Sequence, residues 1–199
     1  MNPQNVAHLS ASATVDVMKD VLTVVFSTTK EGSDAQAVQT ALKQALDAAL
    51  AEAKKIAKPG QVEVSTGGFS LYPRHSGKGA ISAWVGNTEL VVAGKDMQAV
   101  AQLTARVQTM SVARVTQDLS REAREKVESE VSEKAIARFR ARAADIAKQF
   151  GFAAYGIREA HVTLNEPTHH APMMQSRVTG MAAEMALPTE PAKGNVTAI

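Results

Sequence analysis

The sequence predicts an α+β fold: a single domain with an antiparallel sheet and, on one face, two amphipathic helices plus a short one. Three observations predict it. Apolar residues recur at Ala123, Val127, Val131, Ala135, Phe139, Ala143, Ile146 and Phe150, the spacing of a long amphipathic helix. Several other stretches alternate apolar and polar residues, the period of a half-buried strand. Turn residues separate these stretches closely enough for antiparallel neighbours to be joined directly.

The elements follow in order. From Val6 to Val15 the residues Ala7, Leu9, Ala11, Ala13 and Val15 share one face, and Val6, His8, Ser10, Ser12 and Thr14 the other. A second strand, rich in β-branched residues, runs from Val21 to Thr29 after the turn Met18-Lys19-Asp20. Lys30 to Asp34 ends that strand and caps a helix over Ala35–Ala57, which Pro59-Gly60 stops. Val62–Arg74 reads as a strand with a bulge or kink at Gly67-Gly68. Gly77-Lys78-Gly79 forms the hairpin tip, and Ala80–Gly94 the return strand. Asp96 caps a short helix with Met97, Val100, Leu103 and Val107 inward. Val112–Leu119 is a strand. Ser120 then caps the long helix, and Gly151 stands where a left-handed C-terminal residue is wanted. Tyr155–Leu164 alternates again. Residues 167–193 carry four prolines and no clean period, so they read as an arm open to proteases. Asn195–Ile199 reads as the start of a last strand, left at a sheet edge. The resulting division is a core over residues 1–166 and, over 167–199, the arm with its terminal strand. The arm and that strand are expected to mediate self-association while the core folds without them.

Composition narrows the function classes. Hydrophobic residues are 45% and charged residues 21%, the balance of an ordinary globular chain. A net charge of +2 gives no argument for nucleic acid. No apolar run is long enough to cross a bilayer as a helix. The absence of cysteine excludes disulfides, thiolate metal sites and a Cys nucleophile. Met1-Asn-Pro-Gln lacks the basic and apolar regions of a signal peptide. Taken literally the chain is cytosolic; taken as the mature part of an exported protein, its signal has been removed and Met1 added.

The order and spacing of several segments resemble one family. They are Leu9-Ser-Ala-Ser-Ala-Thr-Val-Asp-Val, Thr66-Gly-Gly-Phe-Ser-Leu-Tyr-Pro-Arg, the Ala80–Gly94 strand, and Leu119-Ser120-Arg121-Glu122-Ala123. Ala135–Gly151 and the arm with Pro172-Met173-Met174 and Pro188-Thr-Glu-Pro191 complete the set. Together they resemble the SIMPL-domain family, whose members are periplasmic or associated with the outer membrane. The resemblance implies export with removal of a signal peptide, and a last strand that runs on. It also implies ring-like or channel-like homo-oligomers, envelope protein partners and a link to oxidative stress. It brings no shared catalytic residues and no cofactor, so the expectation is a non-enzymatic protein.

The sharpest local candidate for chemistry is His169, His170, Met173 and Met174 in the arm. Imidazole and thioether donors suit copper, which makes a periplasmic metal- or small-ligand-binding module the competing reading. Against it, adjacent histidines in an extended segment point opposite ways and need a turn to share a metal. Arg138 and Arg142, on one helix face, offer an anion site with Lys134 and Arg140, or else a solvated helix end. Arg74, His75 and Lys78 at the hairpin tip offer a contact for acidic surfaces, or an exposed turn. Glu122 and Glu125 lie one turn apart without a pocket to make them an acid/base pair. The eight methionines offer an oxidant sink, or core and arm packing.

Overall fold

A computed structural model describes residues 6–77, 79–165 and 189–199. Strands β1 (Ala13–Met18) and β2 (Val21–Gly32) are followed by helix α1 (Ala35–Lys54). Strands β3 (Val62–His75) and β4 (Ile81–Gly94), helix α2 (Met97–Arg106) and strand β5 (Ser111–Asp118) come next. Helix α3 (Arg121–Gln149), β6 (Leu164–Asn165) and β7 (Lys193–Ala198) complete the order. The fold is α+β and every strand pairing is antiparallel, as the alternation predicts. The strands divide between two sheets, and the chain between two compact units.

One unit contains residues 20–120 and 189–191 among those described. Its sheet has the order β3-β4-β2-β5. Alternate residues of β2 and β4 (Leu22, Val24, Phe26, Leu90 and Val92) form a core with Ala49 and Ala53 of α1 and Met97, Val100 and Leu103 of α2. Both helices begin at the expected aspartates. Asp34 Oδ2 accepts from the Ala37 N–H at 2.7 Å, and Asp96 Oδ1 from the Ala99 N–H at 3.0 Å. The β3–β4 register shifts between Thr66 and Phe69, which is the bulge expected at Gly67-Gly68. That bulge and Pro73 interrupt an edge strand of 14 residues, which discourages uncontrolled strand addition there.

The other unit contains residues 6–19, 121–165 and 192–199 among those described. Its sheet has the order β1-β7-β6, so the terminal strand is central and not the edge strand the sequence suggests. Ala13, Val196 and Ala198 are buried on the face that meets α3, along with Val127, Val131, Ala135 and Ala143 of the helix. On the other face the Thr14 and Thr197 hydroxyls bond at 3.0 Å. Helix α3 ends as expected. Gly151 takes φ +80°, its N–H donates to the Lys148 carbonyl at 2.9 Å, and the Phe152 N–H donates to the Ala147 carbonyl at 2.9 Å. This paired reversal satisfies carbonyls that the last turn would leave bare.

Two expected strands are shorter than the alternation suggests. Residues 6–12 and 155–163 lie outside any strand. Where the pairing is described it ends with Ala13 opposite Ala198 on one side of β7, and with Leu164 opposite Ala198 on the other. Beyond it, Thr163 and Ile199 exchange backbone hydrogen bonds at 3.0 Å.

Candidate functional site

Helix α3 has 29 residues, roughly 43 Å at 1.5 Å per residue. Residues 6–18, if extended, span about the same length. The helix uses this match. Arg138 Nη1 donates to the Ser12 carbonyl at 2.9 Å, and Arg142 Nη1 to the Ser10 carbonyl at 3.1 Å. Four helix residues rise about 6 Å and two strand residues about 6.6 Å, so the two arginines meet alternate carbonyls in register. The pair that the sequence offers as an anion site therefore holds the N-terminal segment. Lys134 Nζ bonds Glu130 at 2.6 Å, and that hydrogen bond, with the lysine's charge, holds the Glu130 carboxyl below its ordinary value.

The other charged candidates also have structural partners. Arg74 pairs with Glu31 across the sheet, and His75 Nδ1 lies 3.2 Å from the Gly79 carbonyl. Lys78 lies outside the described residues. Arg121 Nε bonds Glu125 at 2.8 Å. Met97 and Met110 are core residues, whereas Met18 is exposed. His169, His170, Met173 and Met174 lie outside the described residues, and among those described no group of three or more acidic or histidine side chains could hold a metal ion.

One buried polar contact is not flagged by the sequence. Asp20 Oδ1 accepts from the Ser120 N–H at 2.6 Å, and Asp20 Oδ2 from the Ser120 hydroxyl at 2.6 Å. Burial by itself would raise the Asp20 carboxyl. The two hydrogen bonds from Ser120, its own backbone and the charge of Lys95 outweigh that and hold it below its ordinary value. Ser120 is buried, so this carboxylate ties together the two ends of the segment 20–120. Its role is structural, because both oxygens are engaged.

The most distinctive surface feature is the placement of the aromatic residues. The chain has five Phe, two Tyr and one Trp. Of these only Phe26 is buried, while Phe69, Tyr72, Phe150, Phe152 and Tyr155 are exposed, Phe150 to 73%. Three of the exposed rings follow the end of α3 within six residues. There the segment folds back: the Tyr155 hydroxyl donates to the Arg140 carbonyl at 3.2 Å. A shallow cleft of about 210 Å³ lies here, walled by Ala144, Ala147, Phe152 and Tyr155 with Lys148 at its side. The sequence signal for this surface was Phe150, whose place in the apolar stripe hid its exposure. Among the described residues no helix is long and apolar enough to cross a membrane.

No curated protein matches the chain. The SIMPL family, described as a protein of unknown function (DUF541), matches residues 7–198. The match runs through both sheets, all three helices and the exposed segment after α3, and the chain belongs to the SIMPL family.

Proposed function

We propose that this SIMPL-family protein is non-enzymatic and works through self-assembly and contacts with envelope proteins in the periplasm, in the response to oxidative or envelope stress. The observation that carries the protein-contact reading is that five of its eight aromatic residues are exposed while one lies in the core. Aromatic side chains bring large contact area at low entropic cost and are enriched among the residues that dominate binding energy. A chain this poor in aromatics gains more core stability by burying them, so their display favours use at a contact. The periplasmic setting and the stress role rest on the family's typical members. Light scattering over a range of concentrations tests the assembly: a particle several times the 21.1 kDa chain mass is expected. A strict 21.1 kDa species at high concentration contradicts it.

A further inference from the structure

We infer that the outer face of α3 pairs, antiparallel, with the same face of a second copy of this chain, about a two-fold axis passing between Ile136 and Ala137. The inference names a surface for the self-assembly proposed above and rests on that reading. It follows from the two charges that the helix leaves without a partner of its own.

Helix α3 buries Val127, Val131, Ala135 and Ala143 on one side. On the opposite side Lys126, Ser129, Glu133, Ile136, Arg140 and Ala144 recur at steps of three and four. That is the spacing with which one helix presents a seam to another. All of these but Ala144, which is half-buried, are exposed, Ile136 to 40%. An isoleucine therefore stands in the open at the middle of the seam.

The charges along α3 fall into two kinds. Arg121 bonds Glu125 and Lys134 bonds Glu130, each pair four residues apart on one helix face. Glu133 and Arg140 have no such neighbour. Three and four positions from Glu133 stand Ser129, Glu130, Ile136 and Ala137. Three and four positions from Arg140 stand Ile136, Ala137, Ala143 and Ala144. The two charges lie about 10 Å apart along the helix, too far to meet each other. Among the described residues neither forms an ion pair.

Antiparallel pairing about the stated axis sets Glu133 level with Arg140 of the second copy, and Arg140 level with Glu133 of the second copy. Ile136 then meets Ala137 of the second copy across the axis, and Ser129 comes level with its Ala144. The seam of one copy thus meets the seam of the other at each step. A parallel pair would instead set Glu133 on Glu133 and Arg140 on Arg140, so the charges select the antiparallel arrangement. The exposed Phe150 comes level with Ala123 of the second copy, which places the ring at the end of the same contact. A second copy is favoured as occupant because the face is complementary to itself.

Charge reversal of the whole chain tests the inference, with sedimentation equilibrium as the readout. Glu133→Arg and Arg140→Glu should each weaken self-association by about tenfold or more, because each sets like charges at both levels. Both residues are exposed, so the melting temperature of each variant should stay near that of the wild type. An equimolar mixture of the two variants should regain wild-type association. In the mixed pair the introduced and native arginines of one chain face the native and introduced glutamates of the other. Variants that associate as the wild type does, or a mixture that fails to recover, overturn the inference; a failed mixture would also result if residues of the same chain cover this face. Failure of the helix pairing and failure of the self-assembly reading are distinguishable. A large wild-type particle that both variants retain sinks only the pairing, whereas a wild type of 21.1 kDa at every concentration sinks both.

Discussion

Arg138 donates to the carbonyl of Ser12 at 2.9 Å, across 126 residues of sequence. With Arg142 on Ser10, it converts the basic end of a long helix into a clamp on an N-terminal segment that has no ladder among the described residues. A charged donor on a backbone carbonyl gives a net 1.5–3 kcal/mol when shielded, and both arginines are exposed, so about 1 kcal/mol each is expected. Arg138→Ala with Arg142→Ala should therefore lower stability by about 2 kcal/mol and speed exchange across residues 6–12. Replacement by lysine should recover only part of the effect, since the ammonium lacks the planar fork. Unchanged exchange in the double alanine variant would show that the arginines are idle.

Asp20 gives a pH dependence of known sign. Its carboxyl is held below the ordinary value of 3.8, so the folded state is favoured by ionisation. The stabilisation is fully present above that ordinary value and is lost as pH falls through the depressed folded value. Asp20→Asn should cost about 1–2 kcal/mol at neutral pH, the loss of a charged acceptor for two donors at a buried residue. The gap between wild type and variant should narrow below roughly pH 4. Urea midpoints measured at pH 3 and pH 6 check this, and a gap that stays constant or widens in acid would be the wrong result.

Val131 and Phe139 test how α3 is seated. Val131 is fully buried, and Val131→Asp places an unpaired charge there, which should cost more than about 3 kcal/mol and unfold the unit. Phe139 is only half-buried, so Phe139→Asp should cost less, about 1–2 kcal/mol. The order of the two melting temperatures is the readout. Equal losses would mean that the helix is buried evenly along its length.

The element order, the antiparallel pairing, both aspartate caps and the Gly151 terminus were legible in the sequence, because each depends on local chemistry. What was not legible depends on partners. Phe150 continues the apolar spacing in the sequence, but it lies just past the end of α3 and is exposed, which spacing alone does not report. Alternation in residues 6–12 and 155–163 marks strand capacity, but a strand also needs a neighbour. Arg138 and Arg142 read as free cations because their acceptors, the carbonyls of Ser12 and Ser10, are main-chain groups that no side-chain pattern reports. The Asp20–Ser120 contact joins residues 100 apart in sequence and leaves no periodic trace. The His169–Met174 candidates lie outside the described residues.

The place of β7 reverses the expectation that the chain's end is dispensable. Removing residues 193–199 deletes the strand between β1 and β6 and the buried Val196 and Ala198. Both remaining strands then lose their only ladder among the described residues. Circular dichroism of the deletion should show loss of helix as well as strand, because α3 loses the surface it packs on. A near-native spectrum would mean that the unit folds without its central strand.

The central claim, that the exposed aromatics serve protein contacts, is tested most directly by particle mass. The measurement is light scattering on wild type, on Phe150→Ser/Phe152→Ser and on Phe69→Ser/Tyr72→Ser, with melting temperature recorded for each. These side chains are exposed, so folding stability should change by no more than about 0.5 kcal/mol. The predicted result is a wild-type particle well above 21.1 kDa that shrinks toward that mass in at least one of the two variants. A wild-type particle of 21.1 kDa at every concentration, or a large particle unchanged in both variants, would contradict the account.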